Sequence, residues 1–268
     1  MCRTVDLREA VLAKNDDLAE DLRQDLTRRG ITVVNLLSSP GSGKTALLEH
    51  TLAGAASRDV PVAALTADLA TENDAARLSR ARVPVKQVLT GGLCHLEARQ
   101  LRGHVDSWLP EGPRLLFVEN VGNLVCPASY DLGETLRVTL MSVTEGEDKP
   151  LKYPTAFGLA HLVVLTKYDI AEAVDFRETA FLENVAQVNP GVEVLRTSSR
   201  NGMGVDQLWQ RLLEVHRGGA VHRPPLAGEL LRAHAHDHGP DEHEHHHHHE
   251  HDPHEHSHQH QPLAARGE

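Results

Sequence analysis

Between residues 5 and 29, apolar side chains at Leu7, Val11, Leu18, Leu22 and Leu26 recur at spacings of four and seven among charged neighbours, and Gly30 follows. That spacing predicts an amphipathic helix over 5–29 with one face packed on the body, stopped by the glycine. From Ile31 the pattern changes to short runs rich in Val, Ile and Leu. These are ITVVNLL (31–37), VPVAALTA (60–67), VPVKQVL (83–89), PRLLFVEN (113–120), ETLRVTLMSV (134–143), HLVVLTK (161–167) and GVEVLRTSS (191–199). Segments of helical pattern separate most of them and one follows the last. The alternation predicts seven buried strands in a doubly wound, mostly parallel α/β sheet.

The pattern stops where the composition shifts. Of the 20 histidines, 14 lie between His234 and His260, interleaved with Asp, Glu, Ser and Gln. Such a segment cannot bury a core and reads as a disordered tail. The Gly218-Gly219 pair and Arg223-Pro224-Pro225 place the boundary near residue 220, giving an N-terminal helix (1–30), a body (31–220) and a tail (221–268). From residue 234 onward eight acids and one arginine give −7 of the net −11, so the body is only mildly acidic. A non-specific grip on nucleic acid, which needs clustered excess Lys and Arg, is excluded. No apolar run approaches the roughly 20 residues of a membrane span, and the charged start MCRTVDLREAVLAKNDD is no secretory signal, so the expected compartment is the cytoplasm. Three cysteines, Cys2, Cys94 and Cys126, cannot form a disulfide framework.

Strand ITVVNLL runs into Ser38-Ser39-Pro40-Gly41-Ser42-Gly43-Lys44-Thr45 and then the helical TALLEHTLAGAA. Strand, glycine-rich loop and helix in that order make a P-loop. Backbone N–H groups of Gly41, Ser42 and Gly43 turn on phosphate oxygens, Lys44 reaches the β and γ phosphates, and the Thr45 hydroxyl ligates Mg²⁺. The strict motif has Gly where Ser38 stands, so the loop entry must adopt a conformation that Ser tolerates. After the sixth run comes Thr166-Lys167-Tyr168-Asp169, similar to an Asn-Lys-x-Asp guanine reader. A carboxylate at Asp169 accepts from both N1–H and the 2-amino group of guanine, which adenine cannot offer, while the Lys167 stem packs over the base. Thr166 lacks the amide that would bridge to the phosphate loop. Ser198 and Ser199 follow the last strand, where a base loop would lie. Glu119-x-x-Gly122 stands where GTPases carry their γ-phosphate and Mg²⁺ sensor, and Asp68 ends the second strand. The candidate catalytic residues are therefore Lys44, Thr45, Asp68 and Glu119, although Asp68 also suits a helix N-cap. A P-loop kinase is the rival reading, and Asp169 argues against it.

Cys94 and His95 open a helical pattern, and Cys126 lies four residues after Gly122. Thiolate with imidazole suits Ni²⁺ or Zn²⁺, and a helix N-terminus would lower the Cys94 pKa. Adjacent residues on one helix do not converge, so Cys94 and His95 can share an ion only from a loop, from an irregular first turn, or between two subunits. Two buried core cysteines are the plainer alternative.

VDLREAVLAKND, SSPGSGKT, TGGLCHLEA, FVENVGNLVCPASYDLGE and TEGEDKPLKYP together resemble the HypB family, P-loop GTPases of the SIMIBI type that assist nickel insertion into [NiFe] hydrogenase. The match covers nearly all of residues 3–217. The resemblance implies slow GTP hydrolysis with Mg²⁺ and a nickel or zinc site at Cys94, His95 and Cys126 at a nucleotide-dependent dimer interface. It implies a HypA-type nickel protein and a hydrogenase large subunit as partners; Lys149 and Lys152 are candidates for a role near phosphate or the interface, with plain solvated loop charges as the simpler reading. Some members carry an N-terminal Cys-x-x-Cys-Gly-Cys nickel motif, whereas this chain has only Cys2. The expected substitute is the tail, where His243, His245, His246, His247, His248, His249 and His251 offer imidazoles for nickel storage and release it as pH falls through about 6.5. A urease-type nickel GTPase and a nickel buffer with a vestigial nucleotide site are the alternatives.

Overall fold

The computed structural model describes residues 2–68 and 73–227. Seven strands form one parallel sheet: β1 (Thr32–Ser38), β2 (Val62–Asp68), β3 (Val85–Leu89), β4 (Leu115–Glu119), β5 (Leu136–Ser142), β6 (Leu162–Thr166) and β7 (Glu193–Arg196). Their order is β3-β2-β4-β1-β5-β6-β7, with every neighbouring pair parallel. The helices are α1 (Cys2–Arg28), α2 (Lys44–Ala53), α3 (Asn73–Leu78), α4 (Ala98–Trp108), α5 (Lys149–Lys152), α6 (Pro154–Gly158), α7 (Glu178–Val188) and α8 (Val205–His216).

All seven expected strands are present, but they are not equally buried. β1, β4, β5 and β6 are buried throughout, whereas the edge strands β3 and β7 alternate between exposed and covered positions. Side chains alternate across each strand, so β4 sends Leu115 and Phe117 to one face and Leu116 and Val118 to the other. On the first face Phe117 meets Leu47 and Leu52 of α2 and Trp209 of α8. The Trp209 indole donates to the Thr51 carbonyl at 3.1 Å and locks α8 against α2. The second face carries two clusters, one with α1 and α4 around Leu22, Leu26, Leu96 and Leu101, the other with α6 and α7 around Phe157 and Phe181.

The first helix departs from the expected stripe. Among its described side chains, residues 10–28, the buried ones are Asn15, Ala19, Leu22 and Leu26, spaced 4-3-4, while Val11 is exposed; the side chain of the expected Leu7 lies outside those described. Gly30 ends it in a left-handed conformation, φ +69°, and Ile31 N–H returns to the Leu26 carbonyl. Packing continues past residue 220: Pro224 is buried and His222 Nε2 lies 2.7 Å from Asn189 Oδ1. Among the described residues no helix is long and apolar enough to cross a membrane.

Candidate nucleotide site and metal centre

Open parallel sheets bind ligands at the carboxyl ends of their strands, and the motif residues gather there. β1 ends at Ser38, which is extended and buried, so a Cβ is accommodated where the strict motif has glycine. The loop then turns through Gly41 (φ +76°) and Gly43 (φ +88°), and Gly43 stands directly before Lys44 at the start of α2. Lys44 is buried; its ammonium donates to the Asn120 carbonyl and lies 3.6 Å from Glu119 Oε1. The Thr45 hydroxyl donates to the same Glu119 oxygen at 2.5 Å. Glu119 Oε2 is buried without a hydrogen-bond partner. Hydroxyl and carboxylate oxygens are the donors that Mg²⁺ prefers, so Thr45 and Glu119 fit that ion. Asp68 ends β2 at this edge and pairs with Leu89 of β3; its side chain is outside the described residues. Glu145, which the motifs did not single out, accepts from Ser42 Oγ at 2.8 Å and pairs with Lys149 at 2.9 Å. Burial would raise its carboxyl, but hydrogen bonds from Ser142, Lys149 and Ser42 hold it below the usual carboxylate range. Lys152 instead pairs with Asp148 on the surface, at 2.7 Å.

The expected loss of a bridge at Thr166 is corrected. Its hydroxyl donates to the Ser42 carbonyl of the phosphate loop, a contact short enough for a Thr side chain because β6 ends beside the loop. Lys167, left-handed at φ +55°, adds a second bridge by donating to the Gly41 carbonyl at 2.8 Å. Ser198 Oγ donates to Asp169 Oδ1 at 2.6 Å, and Tyr168 N–H reaches the Thr197 carbonyl, so the two candidate base loops are tied together. Ser199 lies half-buried in the turn that follows.

Cys94, His95 and Cys126 converge within one chain: their ligand atoms all lie within 4.8 Å of one another. Cys94 Sγ is 3.8 Å from His95 Nδ1. Convergence is possible because Cys94 and His95 occupy a bent loop ahead of α4, whose N-terminus is closed by a Glu97–Gln100 capping box. The expected helix-terminus effect on Cys94 therefore does not arise. A hydrogen bond with the Cys126 thiol, then burial, raises the Cys94 pKa. Burial lowers that of His95 against the pull of Glu97, favouring the neutral imidazole that binds metals. His95 stacks on Tyr130, with ring centroids 3.9 Å apart, and its Nε2 is buried without a hydrogen-bond partner. The tail histidines, His243 to His251, lie outside the described residues.

Asn120 was also missed by motif reading. It is fully buried next to Glu119, and its side-chain oxygen accepts from Leu96 N–H at 3.3 Å and from Val121 N–H at 2.9 Å. One residue thus touches the P-loop lysine through its carbonyl and the Cys94–His95 loop through its side chain. Gly122 completes the contact between the two regions, since a Cβ there would stand 3.3 Å from Pro40 Cα.

Known proteins resemble this chain in sequence and in fold. The CobW/HypB/UreG nucleotide-binding domain matches residues 32–196. Hydrogenase maturation factor HypB of Azotobacter vinelandii is 45% identical over 81% of this chain and 71% of its own length. The hydrogenase/urease maturation factor HypB of Helicobacter pylori strain 26695 is 38% identical over 80% and 89%. The crystal structure of HypB from Helicobacter pylori in complex with nickel superposes with a TM-score of 0.72 at 38% identity, covering 76% of this chain and 96% of that one. The family match, the identity to known relatives and the structural superposition agree, and this chain belongs to the HypB family of hydrogenase maturation factors.

Proposed function

We propose that the protein is a GTPase that carries nickel for insertion into [NiFe] hydrogenase, switching between nucleotide states as a homodimer in the cytoplasm. The observation that supports this most strongly is the length of chain between two chemistries. Glu119 stands beside Lys44 and Thr45, and Cys126, seven positions later, belongs to the Cys–His cluster.

In this reading Gly41, Ser42, Gly43 and Lys44 hold the phosphates, and Thr45, Asp68 and Glu119 hold Mg²⁺ or its waters. Bound there, Mg²⁺ neutralises charge that develops on the transferred phosphoryl group. Asp169 reads guanine, oriented by Ser198, with Lys167 across the base and Ser199 in the base loop. Cys94, His95 and Cys126 take Ni²⁺ as cargo, with Zn²⁺ as the competing ion of similar ligand preference. Exposed Leu93 and Val125 flank these ligands and suit an interface with a second copy. A HypA-type protein supplies the nickel, the hydrogenase large subunit receives it, and the tail histidines His243, His245, His246, His247, His248, His249 and His251 store it. Delivery to urease is the second reading, favoured by the name of the Helicobacter pylori relative.

The test is a nickel titration of the full chain followed by thiolate-to-nickel charge-transfer absorption, which tail imidazoles do not produce, with a GTP analogue or GDP present. The reading expects Mg²⁺-dependent GTP turnover and a nickel affinity that differs between the nucleotides. A protein that hydrolyses no GTP, or binds nickel identically in both states, is a nickel store and not a switch.

A further inference from the structure

The first helix carries a buried asparagine that hydrogen-bonds the backbone of both segments that follow the Cys94–His95 pair and Cys126. Asn15 Oδ1 accepts from Ala98 N–H at 2.9 Å, three residues beyond His95. Asn15 Nδ2 donates to the Asp131 carbonyl at 2.8 Å, five residues beyond Cys126. Asn15 is almost wholly buried, and its bond from Ala98 is made away from competing water. The same helix is fastened to each side independently. Arg23 grips Asp131 with two hydrogen bonds of 2.7 and 2.6 Å, and a Cβ on Gly133 would come within 2.5 Å of the Ala19 carbonyl oxygen. Toward the other loop, Leu22 and Leu26 share a cluster with Leu96 and Leu101.

We infer that α1 is a brace for the metal centre and that Asn15 is its positioning residue, setting the separation of the Cys94–His95 loop from the Cys126 loop. Asn15 touches no ligand. It acts through the backbone at Ala98 and Asp131. The amide is suited to this because it donates and accepts at once, whereas a hydroxyl is too short to span both loops and a carboxylate cannot donate. The inference rests on the reading of Cys94, His95 and Cys126 as a nickel site and adds the element that holds it in shape.

The experiment compares the full chain with Asn15→Leu, Asn15→Asp and Cys126→Ala. Ni²⁺ alone is titrated, and thiolate-to-nickel absorption, thermal midpoint and GDP affinity are recorded for each. Outer partners that orient metal ligands typically change affinity about 10- to 100-fold. Asn15→Leu is expected to weaken the thiolate-detected site by about that factor and to shift its absorption band, with GDP affinity unchanged. Asn15→Asp, which keeps the bond from Ala98, is expected to fall between Asn15→Leu and the parent. A folded Asn15→Leu protein with the parent's band and affinity overturns the proposal, even if its thermal midpoint falls. Should Asn15→Leu not fold, Asn15→Asp decides: an unchanged band and affinity overturns it, and a weakened, shifted one supports it. If the parent and Cys126→Ala give the same signal, the nickel-site reading itself fails, an outcome separate from failure of the brace.

Discussion

Asn120→Ala removes a side chain that hydrogen-bonds the segment after β4 to the Cys94–His95 loop while leaving intact the carbonyl that Lys44 contacts. The alanine abandons two buried backbone donors, Leu96 N–H and Val121 N–H. An unsatisfied buried donor costs about 1–3 kcal/mol, and the longer Leu96 bond belongs at the lower end, so stability should fall by roughly 2–4 kcal/mol. The effect on communication is bounded separately. A signal carried through the Leu96 bond cannot exceed what that bond contributes, and about 1–3 kcal/mol of coupling corresponds to a roughly 5- to 150-fold change in affinity. The assay is the ratio of nickel affinities with GTP analogue and with GDP, read from thiolate-to-nickel absorption and checked by the reciprocal effect of nickel on analogue affinity. In the parent that ratio should lie within the stated range, and in Asn120→Ala it should collapse toward one. A destabilised variant that keeps the parent's ratio within twofold refutes the argument. Asn120 would then only support the loop, and the signal would travel by another route.

Thr166→Val keeps the shape of the side chain but leaves the Ser42 carbonyl without its donor, so GDP affinity by calorimetry should drop by ~1–2 kcal/mol, roughly 5- to 30-fold. Asp169→Asn exchanges an acceptor for a donor at the base. It should lose GTP and gain xanthosine triphosphate, whose 2-oxo group accepts, and unchanged selectivity would remove Asp169 from the base site. Burial depresses His161 from 6.5 to about 4, and its Nδ1 accepts from Arg137 N–H at 2.9 Å, which a protonated ring could not do. The unfolded chain takes up this proton first, so the stabilisation is complete above pH 6.5 and is lost as pH falls through 4, about 3 kcal/mol in all. Urea denaturation of His161→Asn, which keeps an acceptor and does not titrate, should show a fall in stability between pH 7 and 4 that is smaller by that amount.

The strands and the phosphate loop were readable from the chain because each depends on local pattern, whereas residue type left Cys94, His95 and Cys126 open between a metal site and buried core cysteines, and their grouping came with the family resemblance. The base end was readable as a motif, but its fastening was not: that Thr166 reaches Ser42 depends on how closely β6 ends beside a loop more than 120 positions away. Asn15 was lost for a different reason. In the run AKNDDLAED it looks like one more solvated polar residue, and Val11 looks like the better core position. The signal was present in the spacing, since Asn15, Ala19, Leu22 and Leu26 follow a 4-3-4 helical stripe whereas Val11 to Leu18 skips a turn. A polar residue on such a stripe is buried only if partners await it, and those partners, Ala98 and Asp131, are visible only in the fold. Asn120 was hidden similarly, because its role joins a main-chain contact to one loop with a side-chain contact to another.

The sheet order explains why the phosphate loop and the Cys–His cluster meet beside β4 and nowhere else among the described strands. β1 delivers the phosphate loop and β4 is its direct neighbour, while β3, which leads into Cys94 and His95, stands two places beyond β4. The segment after β4 therefore faces the phosphate loop at its start and the loop after β3 further on, and it spans that gap through two tight turns. Asn123 N–H closes on the Val121 carbonyl at 2.7 Å, and Val125 N–H on Asn123 Oδ1 at 2.9 Å. Gly122 is pressed against Pro40 at the near end. At the far end the chain enters Pro127 and the Asp131 anchor held by α1. In the proposed switch, a shift of Glu119 or Gly122 has few loose torsions in which to dissipate and is either resisted by the anchor or felt at Cys126. On the proposed mechanism α1 holds the far end still, so that motion at the phosphate-loop end alters the distance between Cys126 and the Cys94–His95 pair instead of carrying all three residues along together.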